Sequence, residues 1–520
     1  ITGLNDVSQN TGDGSIVTGD ANIAATILNF LNATVVDGAL WFDVTDIFGD
    51  LNGNVIIPEE VLAYLNRRRE LLIAASNEET GSESTNTVDV DLTNTQTTEL
   101  TNTAEVLNDV TIDAITGQNT ASQNTGNASV TTGNVQTTTN TVTLANLNVV
   151  DGSLGLIIVN ALNRWLGFLL GSDGVWTPIG HDYSTIVNAS NSTTGADSTN
   201  TAEVDVTTED TTVVTNEASV TNDIDLSVIT GQNTVTRNTG NATVQTGNAN
   251  VQATIVNVVN TNIVRGGFFA AIVNVFGNWF GDLFFGSQPL QSLAAGNGTG
   301  SSGSGGTTIQ ASNTTTGSNS ENTIDIDASN VSTLLADNTA TIENVLTVNA
   351  DTGNNTASRN TGLGLVDTGD VLAALHARNI ANITVAGNAS PWGNLTADLL
   401  NATTGAESTN EIDVTVNDER ETIVFNDATV DTIIGALANT GFNIASRNTL
   451  GGLVLTGTAE VIARIENLLN ETWLGAAEYG DDPTGEWISV TASNQNTGSG
   501  STNTTALEQT GSTDLNITNA

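Results

Sequence analysis

Only two histidines, His181 and His376, occur in the 520 residues. Acid–base relays and zinc sites need His beside further His, Cys, Asp or Glu. Neither His has such neighbours in the pattern, and both are expected to be surface or packing residues. Cys is absent, which excludes disulfides and thiolate metal sites. All eleven basic residues are Arg, so a Lys–Asn isopeptide bond is excluded as well. Asp13, Asp20, Asp50 and Asn54 lack the spacing of a calcium loop. One acidic pattern does recur. Asp89, Glu203, Asp325 and Asp413 each stand three residues after the Asn of an "STN" or "SEN" phrase, and Asp91, Asp205, Asp327 and Thr415 follow two residues later. A spacing of two puts both members of a pair on one strand face. Two readings stay open: a solvated outer face, or a Ca2+ site held by Asp89, Asp91, Asp205, Asp325 and Asp327. The second arises because clustered carboxylates repel unless a cation bridges them. No other cofactor and no catalytic residue is indicated, and an enzyme is not expected.

These acids sit in a chain that repeats itself. "TGQNTASQNTG" at 116–126 returns as "TGQNTVTRNTG" at 230–240 and "TGNNTASRNTG" at 352–362, with looser copies at 2–12 and 440–450. The divisions are 1–114, with a helical insert expected at about 57–76; 115–228; 229–350, with a Gly/Ser loop at 294–308; 351–438; and a partial unit, 439–520. Each unit runs from the Asn/Thr/Gly phrase into a strand-like stretch, such as "ANVQATIVNVVNTNIV" at 249–264. An apolar insert follows, then a second phrase of the type "SNSTTGADSTNTAEVD". β-branched alternation favours strand. The inserts suggest helices. "IPEEVLAYLNRRRELLIAAS" places Pro58 and two Glu early and Arg67–Arg69 late, matching a helix dipole. Asn274, Asn278 and Asp282 make a stripe four apart.

The expected fold class is all-β: a β-solenoid-like stack with short helical or apolar inserts, or alternatively tandem β-sandwiches. Residues 199–247 break into pieces of 16, 17 and 16 residues, each the size of a small solenoid coil, whereas a 114-residue period suits a sandwich. Gly and Asn accept positive φ and mark turns. Stacked Asn and Thr would form uncharged ladders, which makes the repeated phrase building material.

The formal charge of −46 argues against nucleic acid and anionic lipid as partners, and the inserts are too polar for membrane insertion. Absence of Met implies a start after a removed export signal, hence an extracellular or cell-surface place. Sequons at Asn127, Asn188, Asn241, Asn313 and Asn394 are candidate glycosylation sites. The chain begins in the first part of a unit and ends in the third part of another, so neighbouring copies could complete the repeat. That reading makes a head-to-tail homopolymer, an extracellular filament or surface layer, with Ile1, Thr2, Leu4, Ile16, Ile23, Ile27, Leu507, Leu515 and Ile517 at the interface. The alternative is an adhesin or stalk binding host or matrix glycans through Trp41, Trp165, Trp176, Trp279 and Trp392. Phrases such as "NTGNASVTTGN" and "NVFGNWFGDLFFG" resemble the repetitive Asn/Thr-rich surface and adhesin-like proteins of bacteria and archaea. The resemblance implies export and a structural role, and transfers no site residues.

Overall fold

Along Thr199–Ile229 almost every second residue is buried, including Val204, Val214, Ala218, Val220, Ile224 and Leu226. That period of two, sustained over 31 residues, is one very long strand rather than two short coils. A computed structural model describes residues 1–519 apart from 37–39, 48–50, 53–54, 58–67, 152–153, 162–163, 167–168, 171–181, 266–267, 276–277, 281–282, 286–305, 387–393 and 475–487. The described residues form strands β1 to β35 in chain order and no helix.

Most of the strands fall into five columns, each crossing five rungs, and the insert strands form three smaller sheets of three. The first column is β1 (Asp6–Ser8), β9 (Thr120–Ser122), β17 (Thr234–Thr236), β25 (Thr356–Ser358) and β30 (Ile444–Ser446). The second is β2 (Gly14–Val17), β10 (Ala128–Thr131), β18 (Ala242–Gln245), β26 (Gly364–Asp367) and β31 (Gly452–Leu455). The third is β3 (Ala21–Val36), β11 (Val135–Asp151), β19 (Ala249–Arg265), β27 (Val371–Ala386) and β32 (Ala459–Leu469). The fourth is β7 (Arg68–Glu78), β15 (Asp182–Thr194), β23 (Gly306–Thr316), β28 (Asn394–Ala402) and β34 (Ile488–Gln495). The fifth is β8 (Thr85–Ile115), β16 (Thr199–Ile229), β24 (Glu321–Asp351), β29 (Thr409–Asn439) and β35 (Thr502–Asn519).

Neighbours in a column are parallel and in register: Thr199 sits opposite Thr85 on one side and Glu321 on the other. The fold is therefore a parallel β-stack, and each rung is a whole repeat. This corrects the coil size expected from the 16-residue pieces and removes the sandwich alternative, which needs antiparallel hairpins. The helical inserts are corrected too where they are described; residues 58–67 of the one expected at 57–76 lie outside the described residues. Arg68–Ser76, in the second half of the expected helix, lie in strand β7, opposite Asp182–Ser190 of β15. The run 268–285 supplies strands β20 (Phe268–Val275), β21 (Asn278–Phe280) and β22 (Leu283–Phe285). A like segment stacked on the next rung offers main-chain partners, and that outweighs local helix propensity. Most of the Gly/Ser segment 294–308 lies outside the described residues; Gly306–Thr308 begin β23.

Across the stack, the fifth column folds back on two others. Its early residues Ala202, Val204 and Val206 pack with Val187 and Ala189 of the fourth column. Its late residues Ile224, Leu226 and Val228 pack with Val251, Ala253 and Ile255 of the third. Between these apolar zones run the amides. Asn216 Nδ2 donates to Asn262 Oδ1 in its own rung at 2.7 Å and to Asn338 Oδ1 in the next at 2.9 Å. These amides are buried, and a buried amide needs a hydrogen-bond partner.

Gly and the left-handed positions divide the corner work in an unexpected way. Residues with positive φ include Gln118, Gln123 and Asn146, each repeated in register on other rungs. The phrase glycines have a different reason. A Cβ on Gly117 would lie 1.9 Å from the carbonyl oxygen of Gly231, and one on Gly133 would lie 2.4 Å from the carbonyl carbon of Gly19. Close backbone approach between rungs, not positive φ, selects glycine there.

Candidate functional site: acidic columns and the open ends of the stack

The in-register stack converts each recurrent acid into a column. Asp89, Glu203, Asp325 and Asp413 lie in one line, and Asp91, Asp205, Asp327 and Thr415 in another, both on the outer side of the fifth column. Asp91, Asp205 and Asp327 with Thr93, Thr207, Thr415 and Asn417 line a shallow groove of about 490 Å³. Partial burial, with the charges of Asp327, Asp91 and Asp89 behind it, raises Asp205 above the ordinary carboxylate value. Burial also raises Asp325, helped by Asp327, Asp413, Glu203 and Asp205. Successive rungs are about 4.8 Å apart, so these acids form lines rather than a knot. Among the described residues no three His, Cys, Asp or Glu side chains converge as a metal site.

His376 lies on β27, its Nε2 3.6 Å from Glu466 Oε2. Burial lowers its pKa most strongly; the Glu466 carboxylate raises it, and Arg464 and Arg378 lower it again. His181 is outside the described residues. The two kinds of shift give opposite pH effects. A lowered His376 is protonated more readily in the unfolded chain, so stability falls as pH drops below the ordinary histidine value of 6.5. Raised Asp205 and Asp325 bind protons more tightly when folded, so stability returns as pH falls towards the ordinary carboxylate value of 3.8. Thermal melting across pH is expected to lose its dip below neutrality in His376→Gln. It is expected to lose its acid-side recovery in Asp205→Asn/Asp325→Asn, which also melts higher at neutral pH.

The glycosylation candidates separate by burial. Asn127 and Asn241 are exposed at corners, each accepting a backbone N–H from the next rung, and Asn188 is half-buried. Asn313 is fully buried: its Nδ2 donates to Asn401 Oδ1 and to Thr323 O. A sugar has no room there in the folded chain, which corrects that candidate. Asn394 pairs with Gly306 by backbone, and its side chain is outside the description. The same holds for the side chains of Trp41, Trp165 and Trp279, while Trp176 and Trp392 lie outside the described residues altogether.

Both outer rungs present sheet edges. On the first, Ile1 and Leu4 are exposed, Ile23 and Ile27 are half-buried, and Ile16 is buried in the core. Thr2 is tied inward, its N–H donating to Ile115 O at 2.8 Å. On the last, Leu507 and Ile517 are exposed; Leu515 sits opposite Thr422, its side chain outside the description. Further apolar side chains, Phe442, Leu450, Ile462 and Ile465, are exposed on the last rung. Each terminal segment thus pairs inside its own chain on one side and keeps its other edge open.

Two features escaped the sequence reading. Arg237, Arg359 and Arg447 stack at a left-handed corner, with φ of 60°, 60° and 57°. The aligned phrases carry that signal at their eighth position. The other is polarity. In the Asn columns of the repeated phrases the side-chain amide N–H donates towards the later rung: Asn5 to Asn119, Asn119 to Asn233, Asn233 to Asn355, Asn355 to Asn443. Asn10 to Asn448 and Asn86 to Asn503 repeat the direction. Nothing in residue identity reveals which way an amide points.

The architecture defines a class: a parallel β-stack whose coils are whole repeats locked by polar amide ladders. Compared with protein-family models, curated proteins and solved structures, the chain matches none.

Proposed function

We propose that the chain is a structural subunit of an extracellular filament or surface layer that grows head to tail, the last rung of one copy stacking on the first rung of the next. The observation that carries this is ladder polarity. The last rung ends in Asn443, Asn448, Asn494 and Asn503, whose Oδ1 atoms accept from the rung before and whose Nδ2 groups donate only within their own chain, with no later rung to receive them. The first begins with Asn5, Asn10, Asn77 and Asn86, which donate to the second rung and have no earlier rung to fill their Oδ1. Only head-to-tail stacking joins donors to acceptors, and parallel strand addition then pairs the open backbone edges. The contact is heterologous and does not close on itself unless its rotation does, so it builds a polymer. The extracellular placement rests on composition.

Glycines supply the test. A Cβ on Gly19 meets nothing within 4 Å, and one on Gly441 meets only Asn439 Oδ1 at an ordinary 3.7 Å. Their inner counterparts meet backbone of the neighbouring rung, the Gly19 series facing the earlier rung and the Gly441 series the later one. Gly19→Val and Gly441→Val are therefore expected to leave the melting temperature of the single chain unchanged and to abolish filaments in negative-stain microscopy. Normal filaments from both variants would refute the proposal.

A further inference from the structure

The insert strands break the order that every other column keeps. They are β4 (Leu40–Ile47), β5 (Leu51–Asn52) and β6 (Val55–Ile57) in the first unit, and β12 (Leu154–Ala161), β13 (Arg164–Leu166) and β14 (Leu169–Leu170) in the second. Those of the third unit are β20, β21 and β22. The order is β12–β20–β4, repeated as β13–β21–β5 and β14–β22–β6. The first unit's insert does not sit beside the second unit's; it lies beyond the third's, with Val44 opposite Ile272 and Leu283 opposite Val55. All three strands share the displacement, so it is not a local slip.

The edge of β20 turned away from β12 lies at the level of the fourth rung. That rung joins β27 to β28 through residues 387–393 alone, against 152–181 between β11 and β15 in the second. It has no length to spare for an insert of its own, so an open level stands beside β20. Reach decides what fills it best. From the first rung to the fourth is three spacings, about 14 Å. Val36 closes β3 and Leu40 opens β4; those four steps extend to about 14 Å at most. A crossing inside one chain uses the whole reach and leaves nothing for the turn. In a head-to-tail stack, the next copy's first rung lies one spacing beyond the fifth, so it is two spacings from the open level, about 10 Å. The same four steps cover that with slack.

We infer that β4–β6 are exchanged between neighbours: each copy's first-unit insert caps the free edge of β20–β22 in the copy before it. This rests on the filament reading and deepens it. The partner is a second copy of this chain, and the exchange adds a clasp reaching two rungs past the end-to-end contact. Register and main-chain pairing are those already seen, so the exchange changes which chain supplies the strand and relieves the connection.

The chain's lack of Cys makes the test clean. In-register parallel neighbours are close enough for a disulfide. Filaments grown from an equal mixture of Val44→Cys and Ile272→Cys chains are oxidised and run on a non-reducing gel, with Thr45→Cys and Val273→Cys as a second pair. A covalent dimer in the mixture, absent from either chain alone, is the expected result with both pairs. Two outcomes overturn the exchange while leaving the filament intact: a Val44→Cys/Ile272→Cys double variant that closes only within its own chain in filaments, or Val44→Cys linking to Ile158→Cys on β12 instead. Failure of the unmodified chain to form filaments overturns the filament reading, and the exchange with it.

Discussion

Gly231→Ala is expected to destabilise the chain by about 3 kcal/mol or more, while Gly12→Ala changes little. A methyl on Gly231 would stand 2.2 Å from the carbonyl oxygen of Gly353 and 2.5 Å from the carbonyl carbon of Thr352. Both are backbone atoms of the next rung, so no rotamer change relieves the clash. Moving them separates rungs whose strands pair along their whole length. Overpacking in a well-packed interior ordinarily costs about 1–3 kcal/mol, and a backbone collision lies at the upper end or above. Gly12 is the closing glycine of the same phrase on the first rung, where an added Cβ meets nothing within 4 Å. Urea midpoints of the two variants separate the effects. Equal small losses would show that the rungs are not in the close contact described.

The second large effect is expected of Asn233→Asp, a change of one atom in the side chain. Asn233 is fully buried. Its Nδ2 donates to Thr230 O at 2.9 Å and Asn355 Oδ1 at 3.0 Å, and its Oδ1 accepts from Asn119 N at 3.1 Å and Nδ2 at 2.9 Å. A carboxylate keeps the accepting side and loses both donations. Two oxygens then face oxygens, and a charge is buried without a cationic partner. Removing one partner from a buried ionic or polar contact costs about 3–5 kcal/mol, and that is the expected loss near neutral pH. The sign with pH follows. The buried carboxyl protonates more readily than in the unfolded chain, so stability rises as pH falls, and one restored O–H donor recovers part of the loss. Asn5→Asp places the same charge on the exposed first rung, where water solvates it, and is expected to cost much less. Denaturant curves at neutral and acid pH test both statements, and a pH-independent loss in Asn233→Asp would contradict the ladder account.

The strand content, the stack and the ladders were legible because they follow from residue type repeated in place. Asn119, Asn233 and Asn355 occupy one position of an aligned phrase, and identical neutral residues stack without repulsion. The alternation of Val251, Ala253 and Ile255 likewise marked a buried strand face. Coil length was not legible. Turn-like Thr, Asn and Asp residues along 199–229 suggested breaks, yet each is tolerated inside β16 because its neighbours on two sides hold the backbone extended. The insert at 57–76 misled for a related reason. Its charges suit an isolated helix, but Arg68–Ser76 find ready-made partners in β15. Among sites, the acidic columns were visible as a two-residue spacing. Buried Asn313 was mistaken for a glycan acceptor because a sequon carries no information about which side of a strand faces inward. Amide direction and the order of insert strands depend on how rungs meet in space, and no local pattern encodes them.

The size of the coil has a mechanical meaning. Each repeat, of 88 to 122 residues between equivalent positions, advances the assembly by a single strand spacing, so 520 residues add only about 24 Å of length. A fibre of the proposed kind would be thick for its reach. Its main-chain bonds lie along the direction of pull, and tension applied evenly to a cross-section loads them all together instead of opening them one at a time. Such material spends mass on tensile strength, and its weakest plane is wherever the load becomes uneven.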